Sequence, residues 1–191
     1  LRRKFLNRQM SQLYDGFCQT LIKYNKILKQ KNTLLKESRA RIINDEEIEP
    51  WNEQLSELGA IIIKKRLDVL TELKVFAAEK HRILAQEEQL DLCYESFLPE
   101  SQMQQMTVEE IKDALFMVLK NKIIIEKKAA VSILGPHRDD LSIFINQKSA
   151  RNFASQGQQK SCAIALKLAE LALAEQKKRE KPVLLLDDVM S

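Results

Sequence analysis

The sequence predicts a mainly α chain in two unlike parts: a long antiparallel helical arm over residues 1–128, then a partial α/β lobe over residues 129–191. Three observations carry this expectation. Gly 4 and Pro 4 in 191 residues fall well below the roughly 13 and 10 of average usage, and a sandwich or barrel needs turn residues about every ten positions. Charged residues make up 30%, which suits long solvated helices. Apolar residues recur at the helical period as far as about residue 128 and only in short runs beyond it. The hydrophobic share of 45% excludes wholesale disorder.

Leu6, Met10, Leu13, Phe17, Leu21, Tyr24 and Leu28 form one stripe at helical spacing. Asn44-Asp45 and Pro50 mark a break. A second long helix is expected from about Trp51 to about Cys93, because Leu55, Ile62, Val69, Phe76, Ile83 and Leu90 recur every seven residues. Its partner positions are mixed, so it reads as a seam for one neighbouring helix, the first, and not as a symmetric zipper. Phe97-Leu98-Pro99-Glu100 ends it. A third helix starts at the capping box Thr107-Val108-Glu109-Glu110 and runs to about Lys128. Next come a short alternating run at Val131, Ile133 and Leu134, a turn at Gly135-Pro136, and a half-covered strand over Leu141–Asn146. A helix is expected from near Ser155. Val183–Leu186 reads as a fully buried parallel strand, so the lobe lacks the neighbours such a strand needs.

Other classes are excluded more briefly. No apolar run approaches the ~18 residues of a membrane span. Leu1-Arg2-Arg3-Lys4 is followed by no apolar h-region, so no secretory signal is read. The missing initiator Met points to a processed chain or a piece of a longer one. Cys18, Cys93 and Cys162 are odd in number, distant and without a C-x-x-C pair, which gives no disulfide framework or zinc site. Charge is uneven. Residues 1–41 hold eleven Lys or Arg against Asp15 and Glu37, a net of +9 in a chain whose total is +4. Such a segment is either the footprint of a polyanion contact or a solvated helix face. The candidates for a DNA contact are Lys23, Lys26, Lys29 and Arg39.

Three clusters carry chemistry. Leu184-Leu185-Leu186-Asp187-Asp188 has the form of a Walker B strand. A buried strand presents its first polar residue at the sheet edge, where one carboxylate can hold Mg²⁺ and the next can orient water. Many strands also end in Asp at a plain turn. Ser155-Gln156-Gly157-Gln158-Gln159 opens a helix about thirty residues earlier. A helix start offers N–H groups and a positive dipole to a phosphate, and an ordinary Ser cap looks the same in isolation. Gly135-Pro136-His137-Arg138-Asp139-Asp140 forces a turn and places His137 to hydrogen-bond a γ-phosphate. Arg138 there meets either a phosphate or Asp139.

Together these stretches, with Leu141–Asn146, Arg2–Arg8 and Tyr24–Asn32, resemble the bacterial RecF family, DNA repair ATPases of the ABC/SMC type. An Asp is usual in that family where this chain has Asn7. The resemblance implies the C-terminal half of an ABC/SMC-type P-loop ATPase lobe behind the arm. It makes Ser155, Gln156, Gly157 and Gln158 an ABC-type signature that meets ATP held by the opposite subunit. It makes Asp187 the Mg²⁺ residue, and Asp188, with His137, catalytic. The family's Walker A motif, G-x-x-x-x-G-K-[ST], is absent and would lie upstream of Leu1. These residues alone are then expected to be inactive, and the intact protein to be a slow DNA-dependent ATPase. The resemblance further implies ATP-driven homodimers, DNA binding at single-strand gaps, RecO, RecR and RecA as pathway partners, a link to the SOS response, and a cytoplasmic location. The rival readings are an SMC- or Rad50-like ATPase, which would need far longer heptad arms, a non-enzymatic helical interaction module, and a transporter ATPase subunit.

Overall fold

The computed structural model describes residues 2–178. The first apolar stripe is realised as two helices, α1 (Arg2–Leu13) and α2 (Phe17–Glu37). Gly16 interrupts them at φ 79°, a backbone region that glycine enters without penalty. The stripe survives the break: Leu6, Met10, Phe17 and Tyr24 are all buried. Helix α3 (Asp45–Leu84) begins earlier than expected. Pro50 lies inside it and marks no break. Pro50 is the sixth residue of the helix, so it forfeits one i→i−4 bond close to the start, while Asp45, Glu46 and Glu47 occupy the first turn, where negative charge suits the dipole.

Helix α3 also ends earlier. Leu90, which fits the seven-residue repeat, belongs instead to strand β1 (Leu90–Glu95). There Leu90, Leu92 and Tyr94 are buried while Asp91 and Glu95 are exposed, the period-two alternation of a half-covered strand. The repeat position before it, Ile83, is 66% exposed. The expected seam for one neighbour is also corrected. Arg66 of α3 meets Asn7 of α1 at 2.7 Å, and Glu49 meets Lys120, on helix α5 (Val108–Asn121), at 2.7 Å. Ile62, Ile63, Leu67 and Leu70 are all buried, a face too broad for one partner. Fully burying each such side chain contributes about 1.5–3 kcal/mol.

Pro99 caps the short helix α4 (Glu100–Gln105). Thr107 and Glu110 form the predicted reciprocal capping box on α5. The third helix is divided at Lys122, and α6 (Ile123–Ala129) follows. Residues 131–134 form no strand. The Ser132 N–H donates to Asn32 Oδ1 at 2.7 Å and the Ile133 N–H to Glu126 Oε1 at 2.9 Å, so side chains take the bonds that a ladder would have used. The predicted strand at 141 is β2 (Asp140–Ile145). It pairs antiparallel with the two-residue β3 (Lys148–Ser149), Ile145 opposite Lys148. Asn146 and Gln147 turn the hairpin at φ 48° and 63°, both positive, as the type I′ form of a two-residue hairpin requires. The sheet order is β1-β2-β3. Helices α7 (Ala150–Phe153) and α8 (Gln156–Lys178) complete the described chain.

Two compact units result. One holds residues 2–68 and 94–141, the other residues 69–93 and 142–178. In the first, Leu35, Ile43, Ile48 and Ile123 form a core cluster. No helix among the described residues is long and apolar enough to cross a membrane. The run Val183–Leu186, with Asp187, Asp188 and Ser191, lies outside the described residues.

Candidate functional site

The Gly135–Asp140 turn belongs to the first unit. Gly135 sits at φ 116°, and a Cβ there would lie 2.6 Å from the Tyr24 hydroxyl, so both backbone and space call for glycine. His137 Nε2 lies 3.2 Å from the Ser132 carbonyl and Nδ1 lies 2.8 Å from the Tyr24 hydroxyl. A carbonyl only accepts, so Nε2 carries the proton and Tyr24 donates to Nδ1. Burial holds His137 down at about 4, with Arg138, Lys31 and Arg3 adding to the effect. The ring is therefore neutral at pH 7. Burial likewise raises the Tyr24 phenol far above its ordinary value, and Asp139 adds to this.

Asp139 does not pair with Arg138. It accepts from the Tyr94 hydroxyl and from Ser96 Oγ at 2.8 Å, and lies 3.6 Å from Arg66 Nη1. Burial raises its carboxyl to about 6 against these favourable partners. Arg66 is the centre of this network, buried to 1% exposure. It donates to the Tyr94 hydroxyl at 3.0 Å, the Pro136 carbonyl at 2.9 Å and Asn7 Oδ1 at 2.7 Å. Arg3 donates to the carbonyls of His137 and Asp139. Arg138 stays exposed, with its guanidinium on the Ser132 carbonyl at 3.1 Å. Arg66 and Tyr94 were not legible in the sequence. In the run Lys64-Lys65-Arg66 on a long helix, Arg66 looks like one of three surface cations.

The second cluster belongs to the other unit. Ser155 Oγ accepts from the Gln158 N–H at 3.2 Å, and Gln158 Oε1 accepts from the Ser155 N–H at 2.9 Å. This is a reciprocal capping box, built of the residues singled out in the sequence. Ser155, Gln156 and Gly157 are exposed and Gln158 is half-buried. The N–H groups of Gln156 and Gly157 have no partner among the described residues, as a helix start leaves them. A Cβ at Gly157 would find only Ser155 Oγ, at 3.9 Å. No acidic residue stands in the first turn of α8. An exposed hydroxyl, open N–H groups and a positive helix end fit the oxygens of a phosphate. A cleft of about 210 Å³ adjoins, lined by Asn146, Lys148, Phe153 and Gln158 among others.

Of the expected DNA contacts, Lys23, Lys26 and Lys29 are exposed on α2, and Arg39 is exposed just after it. Lys31 is not on that surface. It is fully buried on Glu126 at 2.5 Å. No cluster of His, Cys, Asp and Glu suited to a metal occurs among the described residues, and the expected Mg²⁺ residue Asp187 lies outside them.

No family profile matches the chain, but individual relatives do along its whole length. It is 41% identical over 196 residues to the DNA replication and repair protein RecF of Halothermothrix orenii. It is 41% identical over 192 residues to that of Thermosynechococcus vestitus, and 38% identical over 191 to that of Heliobacterium modesticaldum. Over these residues the chain belongs to the RecF family. It spans about half the length of the curated RecF relatives it matches, 51% of the first and 50% of the other two. Two solved structures of the recombination mediator protein RecF in the RecFOR pathway, RecF-ATPrS and RecF-ATP, match with a TM-score of 0.91 at 34% and 35% identity. The chain covers 50% of each. The mainly α fold with a partial ATPase lobe is thus the fold of RecF over this stretch.

Proposed function

We propose that these residues serve a RecF-type DNA repair and replication protein that closes into a homodimer over ATP. The observation that carries this reading is the exposed Ser155–Gln158 box, with open N–H groups at Gln156 and Gly157, in a chain that matches RecF-ATP along its length. In this reading residues 1–128 are the arm and residues 129–191 the signature half of the ATPase lobe. Ser155, Gln156, Gly157 and Gln158 contact the γ-phosphate of ATP bound by the opposite subunit. Mg²⁺ is held by Asp187, and Asp188 orients the attacking water. His137 and Arg138 stand on a second turn in reach of nucleotide. The phosphate cradle of a Walker A motif is absent from these 191 residues, so the intact protein is the slow DNA-dependent ATPase and this stretch alone is inactive. Lys23, Lys26, Lys29 and Arg39 meet DNA phosphates near single-strand gaps. The intact protein then acts with RecO and RecR in loading RecA, in the cytoplasm and within the SOS response.

The test separates nucleotide binding from dimerisation. Ser155→Arg in the full-length protein should leave ATP binding by the monomer intact and abolish ATP-driven dimerisation, because a bulky cation fills the phosphate position. Asp188→Asn should do the reverse: the dimer forms and persists with ATP unhydrolysed, since loss of a general base costs about 10²–10⁴-fold in rate. Light scattering with ATP reads both. Normal dimerisation by Ser155→Arg would leave Ser155 as a helix cap and no more.

A further inference from the structure

Glu88 is held between two side chains of its own unit. Its Oε1 accepts from Gln158 Nε2 at 2.8 Å, and its Oε2 lies 3.1 Å from His81 Nε2. The chemistry of a carboxylate sets every donor here, because it only accepts. Gln158 must turn its NH₂ towards Glu88 and its Oε1 towards the Ser155 N–H. The flipped amide would set NH₂ against N–H and open the capping box. His81 must likewise carry its proton on Nε2. That ring is fully buried in the last turn of α3, and its Nδ1 has no hydrogen-bond partner among the described residues. A buried imidazole with one nitrogen left unpaired is costly to keep, so its contact through Nε2 is the one the fold retains. The backbone beside Glu88 is fixed too. The Gln89 N–H donates to Asn146 Oδ1 at 2.8 Å, and the Asn146 N–H returns a bond to the Gln89 carbonyl at 2.9 Å.

We infer that His81 and Glu88 are positioning residues that orient Gln158 and, through it, the Ser155–Gln158 box at the start of α8. The inference rests on the reading of that box as the phosphate-contacting turn, and adds that the end of α3 controls its geometry. The Glu88 carboxylate dictates which way the Gln158 amide faces, and the amide in turn closes the box.

The experiment is Glu88→Gln in the full-length protein, with two readouts. A Gln at 88 offers an NH₂ as readily as an oxygen, so the Gln158 amide loses its enforced orientation. Hydrogen exchange over residues 155–159 should quicken by about tenfold, the worth of one hydrogen bond to a charged group. ATP-driven dimerisation should weaken by a similar factor, while the ATP affinity of the monomer and the melting temperature hold. His81→Leu should follow Glu88→Gln, and His81→Gln, which still donates to Glu88, should be rescued. Because Glu88 acts through Gln158, the double variant with Gln158→Ala should be no worse than Gln158→Ala alone. Unchanged exchange in Glu88→Gln, or additive effects in the double variant, would overturn the inference. Exchange reports the box directly, so it decides this question even if Ser155→Arg shows that the box meets no phosphate.

Discussion

Lys31→Met is the sharpest probe of the first unit. Lys31 and Glu126 are both fully buried and 2.5 Å apart. Burial lowers the Lys31 pKa and Glu126 opposes the shift. Glu126 Oε1 also accepts from Ser132 Oγ at 2.8 Å and from the Ile133 N–H at 2.9 Å. Removing the cation leaves a buried carboxylate with two neutral donors and no counter-charge. Breaking such a pair costs about 3–5 kcal/mol. With a urea slope of about 2 kcal/mol/M for a chain of this size, the midpoint should fall by about 2 M. Glu126→Gln alone should cost a similar amount, because it strands the ammonium. Lys31→Met with Glu126→Gln should cost under about 2 kcal/mol: no charge remains, Gln Oε1 still accepts from Ile133, and one amide group is left short of a partner. Urea titration followed by far-ultraviolet circular dichroism reads all three variants. A single-variant shift below about 0.5 M, or a double variant equal to the sum of the singles, would refute the pair as a coupled buried unit.

The remaining predictions concern DNA and pH. Lys23→Ala, Lys26→Ala and Lys29→Ala together should flatten the salt dependence of DNA binding by about 0.9 log unit for each phosphate no longer neutralised, whereas Lys31→Met, whose charge is inside, should not; an unchanged slope in the triple variant would move the DNA interface off α2. His137, held at about 4 against 6.5, binds its proton more readily unfolded, so its contribution is complete above pH 6.5 and is lost as pH falls towards 4. Asp139, raised to about 6 from 3.8, has the opposite sign and gains stability as pH falls from 6 to 3.8, so the difference between wild type and His137→Asn should shrink by about 3 kcal/mol between pH 6.5 and 4, and a flat difference across that window would show that His137 is not buried neutral.

Much of this molecule was legible because its signals are local. The Thr107 box, the strand at Leu141 and the helix start at Ser155 each depend on residues within four positions of one another. What failed depended on distant partners. Leu90 satisfies both a seven-residue repeat and a two-residue alternation, and only neighbouring strand β2 decides between them. Val131–Leu134 has the alternation of a strand, yet Asn32 and Glu126, from α2 and α6, claim its N–H groups. Charge was the poorest guide. Lys31 and Arg66 look like surface cations in the sequence, and both are buried on partners far along the chain, Glu126 and Asp139.

The two chemical turns are built in opposite ways, and the difference bears on what each can do. In Gly135–Asp140 the side chains face inward: both ring nitrogens of His137 are bonded, and Asp139 has Tyr94, Ser96 and Arg66. A ligand contact by His137 must first give up the Tyr24 or the Ser132 bond, at a cost of about 1 kcal/mol. Arg138 is an exposed residue that commits only Nε and Nη2 to the Ser132 carbonyl, so a guanidinium with five N–H donors keeps others for a ligand. In Ser155–Gln158 the side chains close on one another and leave the Gln156 and Gly157 N–H groups outward. That turn can accept an anion without breaking an internal bond. The first turn is therefore a rigid mount that offers Arg138, and the second is a closed box that leaves backbone N–H donors open to an anion. Variants that loosen the mount, such as Arg66→Met, should act through stability, and variants that reorient Gln158 should act through nucleotide contact with the fold intact.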